Sequence, residues 1–312
     1  MKPSQGKPEK GTVMKLGTNF APFIKRNSLE NVLKKIAKAG FESVDFSLSY
    51  SYDFTLETEE EYFRGIRKLC DELGLWISQG HAPMAKANSE EAYFSDEYIS
   101  RLKDVIRRAG YLGIPWLVVH PLTEEPIEGT SNAYTEEKRV RGFVNNIKFY
   151  KILEPEFKKA GVGCAIENLA QYDYATEQHC ACFGSSSADL IRIVDELNGR
   201  DGQIFGACLD VGHANLIAGE SLPAFIKNLG NKLKCVHLHD NWGILTSWGG
   251  GLDRHLLPFQ GQMPWQDIKK ALEEINFEGA FSFECINYMP NDEFDTWMAE
   301  YIYKAGRYIL NG

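Results

Sequence analysis

Short apolar or β-branched runs alternate with longer amphipathic runs eight times along this chain, and that alternation limits the fold more than any other feature. The apolar runs fall at 14–20, 43–48, 75–80, 116–120, 163–167, 205–210, 233–239 and 280–284. Helical patterns follow them near 28–39, 57–73, 95–110, 135–160, 186–198, 221–229, 264–275 and 292–310. Strand then helix, repeated, pairs strands in parallel, because each helix carries the chain back across the sheet before the next strand begins. Eight such units predict an α/β protein built as one closed (β/α)8 barrel over 14–312. The length of 312 residues suffices, since such barrels take about 250. A doubly wound open sheet is the alternative, but no GxGxxG follows the first strand.

The connections are unequal. Helix-to-strand turns are short and carry glycine at 40, 74, 113 and 161, where a left-handed residue ends a helix. Strand-to-helix loops are longer, at about 122–134, 168–185 and 240–263. Long loops on one face and tight turns on the other predict a working face at the C-terminal ends of the strands.

Histidines and acids collect at that face. All seven histidines (81, 120, 179, 213, 237, 239 and 255) lie at the end of a predicted strand or in the loop after it, and none in a predicted helix. Glu167 ends CysAlaIleGlu, Asp210 ends AlaCysLeuAsp, His237 ends CysValHis and Glu284 ends SerPheGlu. A carboxylate behind an apolar strand sits half-buried at a barrel mouth, which is costly unless a cation compensates it. A lone strand-end Glu is usually a salt-bridge or capping acid. Four ligand residues in four successive units point instead to a divalent metal: Mn²⁺, Zn²⁺, Mg²⁺ or Co²⁺. Alternation places His237 and His239 on one face, so either could reach it.

Other signals are weaker. His179-Cys180-x-Cys182 resembles a soft-metal fragment but lacks a fourth ligand nearby and is read as ordinary loop. Trp242, Trp248 and Trp265 flank three glycines, and could stack on a sugar or pack a lid. Seven cysteines, an odd number without a CxxC pair, read as buried thiols in a reducing cytoplasm. The formal charge of −9 repels polyanions and argues against a general nucleic-acid binder. Residues 1–13 read as a polar, disordered tail without a signal-peptide core. No run reaches the length of a membrane span. Homo-oligomerisation stays open.

With those motifs in place, the chain from 14 to about 310 resembles the xylose isomerase-like TIM barrels, a superfamily that includes sugar phosphate isomerases and epimerases and endonuclease IV. In its epimerase branch the resemblance implies one divalent metal on Glu167 in AlaIleGluAsn, Asp210 in LeuAspValGlyHis, His237 in ValHisLeuHisAspAsn and Glu284 in PheGluCys. His237 is chosen over His239 because the family ligand stands three residues before an acid, here Asp240. The resemblance further implies that Glu167 and Glu284 move protons on a small sugar or sugar phosphate, with His213 holding substrate and His81 or His120 binding hydroxyls. The stretch 253–265 is similar to a loop of these sugar enzymes, though Pro258-Phe259-Gln260 stands where the family often has glycine. Endonuclease IV implies instead a three-zinc phosphodiesterase centre, its ligands matching His81, His120, Glu167, Asp210, His213, His237, Asp253, His255 and Glu284. A barrel that keeps its metal without catalysis is a third reading.

Overall fold

The computed structural model describes residues 14–50, 55, 57–123, 133–173, 177–200, 202–217, 219–244 and 252–312. The expected tail at 1–13 lies outside them.

Eight parallel strands form the barrel: β1 (Leu16–Asn19), β2 (Ser43–Ser47), β3 (Trp76–His81), β4 (Trp116–Val119), β5 (Gly163–Glu167), β8 (Phe205–Asp210), β9 (Leu233–His237) and β10 (Phe281–Phe283). Between β5 and β8 a two-stranded antiparallel hairpin, β6 (Gln171–Asp173) and β7 (Gln178–Cys180), stands apart. The barrel strands run in the order β10-β1-β2-β3-β4-β5-β8-β9. Leu238 closes the ring: its amide donates to the Ser282 carbonyl at 2.9 Å, and its carbonyl accepts from the Glu284 amide at 2.9 Å. The eightfold alternation therefore produces the (β/α)8 barrel it predicts.

Local chemistry sets the helix ends where the sequence places them. Ser28, Ser95, Thr135, Ser186, Ser221 and Asn291 each cap a helix start by accepting from a backbone amide three residues on. Gly40, Gly113 and Gly161 end helices with φ of 108°, 72° and 67°, angles that side chains with a Cβ resist. The reading of 168–185 as plain loop needs correction, because it contains the β6–β7 hairpin. One-turn helices at Ala21–Ile24, Glu90–Tyr93 and Val211–Asn215 also lie between the predicted elements. Elements this short carry too few residues to show a period.

Strand alternation divides the core. Outward residues such as Val44, Phe46, Leu117, Ile166, Leu209, Val236 and Phe283 pack under the helices in one large cluster. Inward residues Val118, Ala165, Cys208 and Cys235 form a separate small cluster inside the barrel. Two residues further along each of those strands the same inward face carries His120, Glu167, Asp210 and His237. The site is thus the next layer above the barrel's own core.

Candidate metal centre

The four strand-end residues meet. One donor atom from each of Glu167, Asp210, His237 and Glu284 lies within 4.8 Å of the other three. His237 Nδ1 is 2.9 Å from Glu167 Oε1 and 3.3 Å from Glu284 Oε2. Asp210 and His237 are fully buried, and Glu284 is 8 % exposed. Glu167 and Glu284 reach the wall of a mouth cavity of ≈ 850 Å³, which His81, His120, His213, Asp253 and His255 also line.

The remaining predicted residues form two flanking groups. His81 and His120 converge on Glu167: their Nε2 atoms are 3.4 and 2.9 Å from Oε2 and 3.2 Å from each other. That Oε2 is buried and accepts no hydrogen bond among the described residues. On the other side, Asp253 Oδ2 lies 3.1 Å from His213 Nε2 and 3.0 Å from His255 Nε2. Asp253 Oδ1 is likewise buried without a donor.

The tautomers follow from the backbone. His81 Nδ1 is 2.7 Å from the Ala82 carbonyl, His213 Nδ1 is 2.9 Å from the Asn168 carbonyl, and His255 Nδ1 is 2.8 Å from the Glu284 carbonyl. A carbonyl only accepts, so each Nδ1 carries the proton and each Nε2 is left facing the acids. This is how metal-ligating imidazoles are usually held. Crowded buried carboxylates with an imidazole nitrogen between them fit a divalent cation among Glu167, Asp210, His237 and Glu284. The two flanking groups could hold further ions by the same criteria.

The charges answer one another. Burial alone would raise the Glu167 carboxyl, but His237 and His120 hold it well below its usual range. Burial likewise opposes ionisation of Asp210, and His213 and His239 bring it down to about 2. Burial opposes charge on His255 too, yet its bond to Asp253 lifts it to about 9. In His120 burial wins over the pull of Glu167, and the ring is pushed down toward its neutral form.

The structure separates His237 from His239. His239 is fully buried, its Nε2 3.1 Å from both oxygens of Asp210, and it stacks on His255 with centroids 3.9 Å apart. It leans against the Asp210 side, while His237 faces both glutamates. Asp240 works as a loop organiser, accepting from the amides of Asn241, Phe259 and Met263. His213 lies in the one-turn helix Val211–Asn215 and not in loop, since Asp210 caps that turn through the His213 amide at 2.7 Å. Trp265 is core, 5 % exposed, and Trp242 donates to the Gln260 carbonyl at 2.9 Å. Trp248 lies outside the described residues. His179 sits in the hairpin, 5.5 Å from the Tyr172 ring.

Sequence reading missed four supporting residues. Asn168 bonds both backbone polar groups of Asp210, at 2.7 and 2.9 Å. Asn19 donates to Glu284 Oε1 at 3.3 Å. Asp45 Oδ2 is 3.4 Å from His237 Nε2, and Gln79 donates to that oxygen at 3.0 Å. Asp45 did leave a signal: a charge in the middle of an apolar strand, ValAspPhe.

Fold and site together define a class: a (β/α)8 barrel with carboxylates and imidazoles gathered at the C-terminal ends of its strands. The chain belongs to the xylose isomerase-like TIM barrel family, whose profile matches residues 33–303. It is 25 % identical over 275 residues to a D-psicose 3-epimerase of Enterocloster bolteae, covering 87 % of this chain and 82 % of that one. It is 28 % identical over 192 residues to a probable endonuclease 4 of Cenarchaeum symbiosum, covering 58 % and 59 %. A D-psicose 3-epimerase from Clostridium cellulolyticum H10, solved with D-tagatose, superposes with a TM-score of 0.70 at 17 % identity, covering 95 % of this chain and 99 % of that one. Among the described residues no helix is long and apolar enough to cross a membrane.

Proposed function

We propose that this protein is a metal-dependent isomerase of the sugar epimerase type, moving a proton on the carbon next to a ketose carbonyl. One observation carries the reading: Glu167 and Glu284 face the same His237 nitrogen, at 2.9 and 3.3 Å, in the wall of the mouth cavity. Two carboxylates placed around one point can remove a proton from one face of a carbon and return it on the other. A divalent cation on Glu167, Asp210, His237 and Glu284 would polarise the carbonyl and favour its enediolate. Glu167, kept ionised by His237 and His120, would be the acceptor in that pair. His213 and His81 line the same cavity, where a sugar hydroxyl would meet them. Kinship with a D-psicose 3-epimerase supports the same reaction class.

Charge favours an unphosphorylated sugar. The loops that follow the eight strands contain four basic residues, Lys25, Arg26, Lys86 and Arg254. Each is engaged: Lys25 over the Tyr288 ring at 4.9 Å, Arg26 near Asp295 at 3.6 Å, Lys86 with Glu97 at 2.8 Å, and Arg254 over Trp242 at 5.4 Å. Of the four, Lys86 lines the cavity, and there it is paired with Glu97; a phosphate wants a cation positioned for it, whereas neutral hydroxyls suit the Ser47, Asn88, Thr123 and Gln171 side chains that line the same wall. The same scarcity weighs against DNA.

The test is proton exchange. The metal-loaded protein, incubated in deuterated water with free ketoses and ketose phosphates, should incorporate deuterium beside the carbonyl of a free ketose. Glu284→Gln, compared at matched metal occupancy, should slow that exchange by about 10²–10⁴-fold. Equal exchange by that variant would sink the two-glutamate mechanism, and exchange only with phosphates would sink the charge argument.

A second reading has its own observation. The His81–His120–Glu167 and His213–Asp253–His255 groups complete the nine-residue set of a three-zinc phosphodiesterase, and the region has kinship with a probable endonuclease 4. Metal count divides the two: one ion per chain supports the epimerase, and two or three zinc ions with cleavage of an abasic duplex support the hydrolase.

A further inference from the structure

Inside the barrel, below the proposed metal site, lies an acid that the reaction does not use. Asp45 on β2 is fully buried. Its Oδ2 is 3.4 Å from His237 Nε2, the ring nitrogen that faces away from Glu167 and Glu284. Gln79 on β3 holds the same oxygen: its Nε2 donates to Asp45 Oδ2 at 3.0 Å and to the Val236 carbonyl at 3.2 Å. Neither the other oxygen, Oδ1, nor His237 Nε2 has a hydrogen-bond partner among the described residues, so the 3.4 Å approach is a close ion-pair contact between two groups that each keep an unpartnered atom.

This arrangement is built into the sheet. The β2–β3 register runs Val44 opposite Ile77 and then Asp45 opposite Gln79, so Ser78 is bulged out of the ladder. Bulges re-aim side chains, and here the step sets Gln79 beside Asp45. A buried carboxylate with an oxygen left bare is strongly disfavoured unless positive charge stands close. The group able to supply a proton or relay a cation's charge to it is the His237 ring.

We infer that Asp45, fixed by Gln79, is a positioning residue for metal binding: it holds the proton on His237 Nε2 and so keeps the Nδ1 lone pair aimed at the ion. A carboxylate on the far nitrogen fixes the tautomer, locks the ring plane and strengthens the imidazole as a donor. The inference rests on the reading of His237 as a ligand, though not on which reaction the site performs.

The experiment is a calorimetric titration of the full-length, metal-stripped protein with Mn²⁺ alone, and separately with Zn²⁺. Asp45→Asn keeps the shape and removes the charge. It should weaken binding about 10–100-fold, the usual effect of losing such a partner, while the melting temperature of the metal-free protein holds or rises. A purely structural Asp45 would give the opposite pattern: a lower metal-free melting temperature and unchanged affinity. The second arm is a cycle in which Asp45→Asn, introduced into His237→Gln, should cost less than about twofold, because the ring it acts through is gone. An equal loss in both backgrounds overturns the inference. Should Asp45→Asn fail to fold, Gln79→Met tests the same chain from its other end, with several-fold weaker binding expected and parental affinity refuting it. A parent that binds neither ion overturns the metal site itself. A parent that binds but exchanges no sugar proton leaves the role of Asp45 standing and removes the epimerase.

Discussion

Replacing Asp210 by alanine removes three contacts at once, and each can be weighed. The carboxylate caps the turn Val211–Asn215 through the His213 amide at 2.7 Å, a cap worth about 1 kcal/mol. It meets His239 Nε2 at 3.1 Å through both oxygens, and leaving that buried ring without a partner costs about 1–3 kcal/mol. Losing one of several crowded negative charges offsets part of this, so the metal-free protein should lose about 2 kcal/mol. At roughly 2 °C per kcal/mol for a chain of this size, its melting temperature falls by about 4 °C. The third is the contact it would make with the proposed ion. Metal at 1,000 times its dissociation constant stabilises the folded state by about 4.1 kcal/mol. Outer partners of a ligand are worth 10–100-fold in affinity, so a ligand itself is worth at least about 10²-fold. At the same metal concentration the variant then gains only about 1.4 kcal/mol. The metal-induced rise in melting temperature should shrink from about 8 °C to about 3 °C. Thermal melts with and without Mn²⁺ read both quantities. A variant whose metal-free melt drops while its metal-induced rise equals the parent's would refute the four-ligand site and leave Asp210 a helix cap.

Two further outcomes follow from the geometry. At Gly212 an added Cβ would stand 1.9 Å from His239 Cε1, so Gly212→Ala should displace that ring from Asp210, cost about 1–3 kcal/mol and weaken metal binding; a variant with parental melting temperature and affinity would show that the ring is not wedged there. Glu59, 4 % exposed, accepts from Arg108 Nε at 2.7 Å and from Arg107 at 2.8 and 3.0 Å. Burial opposes its charge, but the two guanidiniums lower its pKa, so its contribution is complete above the ordinary Glu value and fades as pH falls through the lowered one. Glu59→Gln should therefore melt below the parent at pH 7, by about 1–2 kcal/mol given the half-exposed Arg107, and the gap should close in acid; a gap independent of pH would mean that packing, not charge, is what the substitution removes.

Much of this protein is legible in its sequence, because the physics that sets its elements is local. Strand periodicity, Ser and Thr caps, and glycines at 40, 113 and 161 depend on residues a few positions apart. The barrel strands therefore fall within two residues of where the alternation puts them, as β5 and β8 do at both ends. The inward face is also local information: two residues past Ala165, Cys208 and Cys235 come Glu167, Asp210 and His237, and alternation alone aims them together. Tertiary structure decided whatever depends on neighbours far along the chain. Which of His237 and His239 faces the two glutamates is set by distances across the barrel, to Glu167 seventy positions away and to Asp210. The proton on His213 is placed by the Asn168 carbonyl, and that on His255 by the Glu284 carbonyl, contacts that no spacing encodes. Asp45 shows the boundary most sharply. Its charge within an apolar strand marks it as unusual, but its partner is chosen by a bulge at Ser78 and by the closure of the ring, which bring β2, β3 and β9 around one imidazole. A sequence fixes which face a side chain takes, because that is a property of the strand; what the side chain meets there is a property of the closed barrel.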